Sequence, residues 1–367
     1  MSTLKTTNLQ NASAASPAFV LASDGSATAN LSSLNGGPIA GTRNRIINGD
    51  MRIDQRNAGA AVTAGSAYTL DRWNVDRTWT GSTTTIQRST TAATGFTNSL
   101  LATVSTGAAA AAASYFSIQQ YLEGFNFADL GFGAAGASSF TVSFWVRSSV
   151  TGAYGIGFRN SAFNLSYWTT YTVNSANTWE QKSVTIPGAT SGTWYTDNSY
   201  GINLIFSLGC GSTEKAASNN AWNSGSKLGA VGQTDLIATT GATFYITGVQ
   251  LEPGTVATPF ERRSFGQELA LCQRYYQRFN NIYAEGYSSG STVRQNTPMS
   301  FPVQMRTTPT RTVITAGSYT NIRSSSSAYA GLGLNGFTDS YASCSMESAA
   351  AGYMSMANQS ESMSSEL

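Results

Sequence analysis

Residues 243–263, TFYITGVQLEPGTVATPFERR, decide how the chain is read. Phe244 and Ile246 alternate onto one face of a strand. The alternation breaks at Gly248 and resumes with Val249 and Leu251, which return to the same face if Gly248 marks a bulge. Glu252-Pro253-Gly254 ends the strand, because proline cannot donate to a ladder and Pro-Gly favours a turn. Pro259 and the basic pair Arg262-Arg263 then lead toward a helix. The pattern predicts the closing strand of a β-sandwich followed by an exit loop. A matching opening lies upstream in residues 45–53, RIINGDMRI. The expectation is that residues 48–53 and 244–251 lie side by side and seal one sandwich.

At 367 residues the chain is long enough for two or three domains. Charged residues make up only 11% and the net charge is +2, so no electrostatic footprint for nucleic acid or an anionic membrane is visible. The 36 glycines, with abundant Ser, Thr, Ala and Asn, favour short strands and turns. No run approaches the roughly 18–20 apolar residues of a membrane span, so membrane insertion is not expected. Met1-Ser2-Thr3-Leu4-Lys5 opens no signal-peptide pattern. The three cysteines, Cys210, Cys272 and Cys344, are far apart and suit reduced, buried thiols. Histidine is absent. That removes Ser-His-Asp and Cys-His triads, histidine bases and the commonest zinc ligands, and leaves carboxylate chemistry and oxygen-ligated calcium.

Residues 1–42 buy little burial, being Ala/Ser/Asn-rich; 18–23 and 26–31 flank Asp24-Gly25 as a hairpin. Such a segment is either a disordered leader or a strand-forming arm that docks on a partner, and we read it as the arm. Residues 43–263 form the main domain. Phe140, Val142, Phe144 and Val146 point one way, and Thr141, Ser143, Trp145 and Arg147 the other. Ile202, Leu204, Phe206 and Leu208 repeat the alternation, as do Val184 and Ile186; residues 117–122 (SIQQYL) are another strand. Roughly eight to ten strands are expected, enough for a two-sheet sandwich. Trp73, Trp79 and Trp179 read as core.

Several short stretches occur in the order seen in jelly-roll carbohydrate-binding modules. They are Asn48-Gly49-Asp50-Met51, Leu70-Asp71-Arg72-Trp73, Thr178-Trp179 leading to Val184-Thr185-Ile186-Pro187, and residues 245–252. The front, 44–51 (NRIINGDM), resembles bacteriophage fibre proteins. So do Gln250-Leu251-Glu252-Pro253-Gly254, Pro259-Phe260-Glu261-Arg262-Arg263 and Cys272-Gln273-Arg274-Tyr275-Tyr276. Residues 1–11 (MSTLKTTNLQN) resemble the leader of tail-fibre-like proteins of phages that infect photosynthetic bacteria. The resemblance covers most of residues 1–280. It implies an all-β protein with a jelly-roll β-sandwich, located in the virion. In such modules an acidic residue of the closing strand often helps hold a structural calcium. Here Thr247-Gly248 stands there, so no metal or other cofactor is expected and Asp50 reads as a turn residue.

Glycan binding needs exposed aromatic rings, because a sugar's C–H face stacks on a ring while its hydroxyls take hydrogen bonds. Candidates cluster in turn-rich segments: Tyr167, Trp168 and Tyr171; Trp194, Tyr195 and Tyr200; and Trp222. The competing reading for each ring is core or subunit interface. Residues 131–136 spell G-x-G-x-x-G, but they open no helix of a βαβ unit, so a dinucleotide site is set aside. A glycosidase needs two facing carboxylates. Glu123, Asp129, Glu180 and Asp197 are available, but nothing in their spacing pairs them, so no catalytic residue is named.

Residues 264–280 read as a connecting helix with a Ser264/Gln267 capping box and an apolar seam of Phe265, Leu269, Cys272, Tyr276 and Phe279. It either packs on its own sandwich or forms a short neck around a threefold axis. Residues 281–367 suggest a small C-terminal β domain. Within it residues 355–367 look like poor core formers, and Tyr319, Tyr329, Tyr341 and Tyr353 either read a glycan or are buried between subunits. The combined expectation is a non-enzymatic homotrimeric tail-fibre subunit. Residues 1–42 would meet a tail adaptor or capsid protein, and the body would grip host-surface glycan. A head-decoration or capsid fibre with an assembly role is the alternative, and a glycan depolymerase a third.

Overall fold

The computed structural model describes residues 42–280, 300–314 and 360–367 in full, and elsewhere chiefly the backbone of strands. Near the N-terminus β1 (Asn8–Leu9), β2 (Phe19–Leu21) and β3 (Ala27–Ala29) form a small antiparallel sheet, with Phe19 opposite Ala29 and Leu21 opposite Ala27. The hairpin expected over residues 18–31 is therefore present.

The body is an all-β jelly-roll sandwich of two antiparallel sheets. Its early strands are β4 (Val62–Thr63), β5 (Ala67–Leu70), β6 (Trp73–Arg77), β7 (Thr83–Ser89), β8 (Ser99–Thr106) and β9 (Tyr115–Glu123). They are followed by β10 (Phe140–Ser148), β11 (Gly152–Asn160), β12 (Leu165–Val173) and β13 (Glu180–Ile186). The last are β14 (Tyr200–Cys210), β15 (Ala221–Ser224) and β16 (Thr243–Pro253). One sheet has six strands, β13-β10-β16-β8-β7-β4, and the other seven, β15-β12-β11-β14-β9-β6-β5. That is more than expected, because β4, β5 and β15 are too short to leave a period in the sequence.

The core lies between the sheets. Phe140, Val142, Phe144 and Val146 of β10 meet Ile202, Leu204, Phe206 and Leu208 of β14 and Phe244, Ile246, Val249 and Leu251 of β16, all buried. The last four share a face because a bulge intervenes. The β10–β16 register shifts between Ser143 and Trp145, and Gly248 takes φ 62°, a left-handed conformation suited to glycine.

The two bookends do lie side by side. Arg45 N donates to Leu251 O (2.8 Å) and Val249 N to Gly49 O (2.9 Å). Asn44 Oδ1 accepts from Leu251 N (3.1 Å). Asn48, itself at φ 57°, ties the opening turn: Oδ1 accepts from Ile53 N (2.9 Å) and Nδ2 donates to Asp71 O (2.9 Å). Asp50 sits in this turn with Oδ2 2.5 Å from Arg52 Nε.

The helix is shorter than its apolar period suggested. α1 spans Phe265–Gln273, with the Ser264/Gln267 capping box formed. Tyr276 already opens β17 (Tyr276–Ser288), so Tyr276 and Phe279 belong to a strand. Phe265 is exposed, and Cys272 packs with Tyr275, Ile47 and Ile53. A seam needs every member on one helical face; this helix ends after nine residues, so it docks on its own sandwich. Cys210 and Cys272 are buried free thiols, and burial raises the pKa of each.

The remaining strands are β18 (Arg294–Ser300), β19 (Thr310–Thr315), β20 (Ser318–Asn321), β21 (Tyr329–Asn335), β22 (Tyr341–Ser348) and β23 (Gly352–Ser364). β23 pairs with β17, β19 and β20, and β22 lies between β18 and β21. The expectation that residues 355–367 are poor core formers fails over the described residues 360–367. Glu361, Ser362, Met363 and Ser365 are buried, and Arg311 pairs with Glu361 at 2.5 Å. Cys344 and the four C-terminal tyrosines lie outside the residues whose side chains are described.

Asp71, adjacent to the Asn48 knot, is buried and accepts from Gln55 N (2.6 Å) and Gln55 Nε2 (2.7 Å). Burial pushes its pKa up to about 6. The folded chain therefore holds a proton that the unfolded chain has lost, between the ordinary carboxylate pKa and about 6. Stability should rise as pH falls from 7 to 5, by about 1 kcal/mol or about 2 °C in thermal midpoint. Calorimetry of the parent and Asp71→Asn tests this: equal pH dependence in both would refute it.

Candidate functional site: an open face of the seven-stranded sheet

Half of the outer face of the seven-stranded sheet is covered. Trp168 on β12 lies over Gly157 of β11, where an added Cβ would sit 2.5 Å from the indole. Ala216, Leu228 and Ala230 close over it with Ile205 and Cys210. The other half, on β6, β9, the end of β11 and β14, carries the side chains that alternate away from the core. These are Asn74 and Asp76; Tyr115, Gln119 and Tyr121; Arg159; and Asn203.

At the floor of this half, Gln119 Oε1 accepts from Arg159 Nη2 (3.2 Å) and from Asn203 Nδ2. Arg159 Nη1 donates to Ser226 Oγ (3.0 Å). Gln119 Nε2, Asn203 Oδ1 and Arg159 Nε have no partner among the described residues, an uncommon condition for buried polar atoms. Arg159 is only 5% exposed, yet no carboxylate lies within ion-pair distance of it among the described residues. Above this floor stand half-exposed rings. Tyr121 and Tyr200 meet edge to face at 5.0 Å, and Phe163 lies 5.2 Å from Tyr200 with the Arg159 guanidinium 5.1 Å from its centroid. Phe163 is exposed at φ 54°, a strained setting for an aromatic residue. Tyr115 OH donates to Asp76 Oδ1 (3.2 Å). Burial, then the Asp76 charge, pushes the Tyr115 phenol up to about 12; burial also raises Tyr121 and Tyr200. All three keep their proton at neutral pH; Tyr115 gives its own to Asp76 and Tyr200 its own to Arg159 O (3.0 Å), which leaves both phenol oxygens as acceptors.

The structure redistributes the rings expected to bind. Tyr167, Trp168 and Tyr171 are in strand β12 and are 4%, 0% and 5% exposed, so none can offer a face to a sugar. These three are corrected to core: Tyr167 and Tyr171 face the interior between the sheets, where Tyr171 meets Phe144 of β10 at 4.8 Å, and the loop bearing Ala216 and Leu228 covers Trp168 on the outer side. Trp194 and Trp222 are half-buried, 5.5 Å apart, and pack with Phe132 on the core. Tyr195 is 48% exposed and lies at the end of the sandwich near Tyr200, its N donating to Ser161 Oγ (3.2 Å). Trp73 and Trp79 are core, but Trp179 is half-buried on the other sheet's outer face, 6.0 Å from Tyr245. Tyr121, Tyr115, Arg159 and Phe163 went unread, although the alternation in SIQQYL already sends Tyr121 away from Leu122.

The four carboxylates weighed for glycoside cleavage are each engaged locally. Glu123 is buried, taking Arg274 Nε (2.9 Å) and Tyr275 OH (2.7 Å). Asp129 pairs with Arg45 at 2.6 Å, Glu180 with Lys182 at 2.5 Å, and Asp197 accepts from Ser199 N (2.8 Å). Among the described residues no cluster of three or more Cys, Asp or Glu could hold a metal ion.

No family model and no curated protein sequence matches the chain. Among solved structures it is similar to the enzymatically active domain of tailspike protein 4 of bacteriophage CBA120, at 13% identity and a TM-score of 0.29, over 57% of this chain and 21% of that one. The chain thus spans about a fifth of that tailspike domain. It is also similar to a putative sugar binding protein from Bacteroides thetaiotaomicron (12% identity, TM-score 0.33, 57% of this chain and 100% of that one). A third is the family 11 carbohydrate-binding module from Clostridium thermocellum in complex with a mixed-linked tetrasaccharide (12%, 0.27, 55% and 100%).

Proposed function

We propose that this protein is a non-enzymatic glycan-binding subunit of a phage fibre, a homotrimer in the virion that attaches through residues 1–42 and adheres to host-surface glycan. The observation that carries the glycan reading is the open half of the seven-stranded sheet, where Tyr121, Tyr200 and Phe163 stand over buried, incompletely paired Gln119, Asn203 and Arg159. Rings supply the stacking surface for pyranose C–H groups, and the phenols, amides and Asp76 bond sugar hydroxyls. The fibre reading is supported by the sequence resemblance of residues 1–11, 44–51, 250–254, 259–263 and 272–276, and by an N-terminal segment that forms its own small sheet. Weak sites repeated on a trimer gain avidity, roughly a hundredfold when geometry permits.

Glycan arrays on the purified protein, with adsorption assays on virions lacking it, test the reading. Tyr121→Ala and Asp76→Ala are each expected to weaken glycan binding roughly tenfold, the worth of one stacked ring or charged hydrogen bond. Absence of any glycan binding by the parent, with normal adsorption of the depleted virions, would rule the adhesin reading out.

A further inference from the structure

The opposite side of the sandwich carries a second arrangement that the first face does not use. The outward residues of the six-stranded sheet include Ser143, Trp145 and Arg147 of β10. Trp145 is opposite Gln181 on β13 and Thr247 on β16, and Arg147 is opposite Tyr245. A groove of about 510 Å³ runs here between Trp145, Phe96, Phe260, Ser143, Gln181 and Arg262. Its size falls within the range of ligand sites. The bulge that keeps Val249 and Leu251 in the core also shapes this groove. At Gly248 a Cβ would meet the Phe96 ring at 2.5 Å, so only glycine lets that ring lie across the strand. Phe96 meets Phe260 edge to face at 5.2 Å, and the Arg262 guanidinium sits 4.8 Å from the Phe96 centroid.

The tryptophans separate into two groups. Five of the seven donate their indole N–H to a backbone carbonyl: Trp73 to Asn48, Trp79 to Ala108, Trp168 to Lys227, Trp194 to Ser191 and Trp222 to Pro187, all at 3.0–3.1 Å. Trp145 and Trp179, both half-buried on this face, make no such bond among the described residues. A buried tryptophan normally finds a partner for its N–H; the two half-buried ones on this face leave theirs, with part of each ring, available to a ligand. The exposed Gln181 amide beside Trp145 is likewise without a partner among the described residues. The groove is lined by one cation, Arg262, and by no carboxylate. Arg262 spends Nη2 on Gly95 O (2.6 Å), which leaves further N–H donors on the fork.

We infer that this groove is a second saccharide site, independent of the first face, in which a pyranose stacks on Trp145, hydroxyls bond Gln181 and Ser143, and an acidic sugar's carboxylate meets Arg262. Two sites on opposite sheets would let one subunit hold two strands of a surface polysaccharide, with avidity set by their spacing.

The probe is an array of purified bacterial capsular and O-polysaccharides with acidic and neutral repeats, read with the full chain. The variants are Trp145→Ala, Gln181→Ala, Arg262→Gln and, for the first face, Asp76→Ala. Trp145→Ala and the solvent-exposed Gln181→Ala should each lower binding of a common set of glycans about tenfold, and Arg262→Gln should lower only the acidic members. Asp76→Ala weakens the first face, and Trp145→Ala should lower binding of the groove set by the same factor in the Asp76→Ala background as in the parent. If Trp145→Ala and Gln181→Ala bind every glycan as the parent does, the groove is not a saccharide site, whatever the first face binds. If they instead change the oligomeric state with glycan binding intact, the groove is a subunit contact and the inference is equally overturned. Loss confined to the groove variants would sink the first face and keep the groove.

Discussion

A Gly49→Ala variant is expected to lose about 3 kcal/mol or more of stability, about 10 °C in thermal midpoint. The methyl group would sit 2.1 Å from Val249 O, well inside contact distance, and the atom it strikes is backbone in the closing strand. Neither side can yield cheaply. Gly49 O is the acceptor for Val249 N at 2.9 Å, and the next residue back, Asn48, is fixed by Ile53, Asp71 and Trp73. Displacing Val249 would pull a fully buried side chain from the core on the far side of the bulge. Gly65, with nothing within 4 Å of its Cβ position, is the control, and Gly65→Ala should change stability by less than about 0.5 kcal/mol. Denaturant titration followed by tryptophan fluorescence reads both. Equal midpoints for the two variants would mean that the opening and closing segments do not seal the sandwich.

That junction was legible because it is written in short-range chemistry. An alternation broken by one glycine and a Pro-Gly stop each have a local meaning, so residues 45–53 and 244–254 could be matched before any coordinates. The alternation in residues 140–147 was equally informative, and it already turned Trp145 outward. What it could not convey was whether an outward ring is then covered. Trp168 alternates outward from β12 just as Trp145 does from β10, yet the loop bearing Ala216 and Leu228 folds over one and leaves the other open. Coverage of that kind is long-range: the loop follows Trp168 by some fifty residues and carries no period. The helix was over-extended for the opposite reason. Its apolar spacing ran on through Tyr276 and Phe279, and the turn at Arg274 is set by Glu123, a residue of the sandwich.

Removing the Glu366 carboxylate is expected to be the most damaging change in the C-terminal region, even though the sequence around it reads as a polar tail. Glu366 ion-pairs with Arg56 (2.7 Å) and with Arg72, whose side chain is 1% exposed. The two guanidinium groups also lie over aromatic rings, Arg56 Cζ 3.7 Å from the Tyr276 centroid and Arg72 Cζ 3.6 Å from that of Tyr275. Glu366→Gln leaves Arg72 desolvated without an ion-pair partner among the described residues, and losing one partner of such a buried cluster costs about 3–5 kcal/mol. The cost reflects the stranded charge more than the lost attraction, so a compensating change should recover part of it. Glu366→Gln combined with Arg72→Met is expected to be more stable than Glu366→Gln alone, a sign that independent surface substitutions would not give. Arg72 Nη2 also donates to Tyr121 O on β9, which ties this cluster to the backbone of the residue whose ring is proposed to stack on glycan. The single variant should therefore weaken glycan binding well below its unfolding temperature, while the exposed Gln181→Ala change on the other sheet leaves thermal stability unaltered. Denaturant midpoints and array binding on the same preparations decide it: a Glu366→Gln protein as stable as the parent would show that the end of β23 does not brace the sandwich.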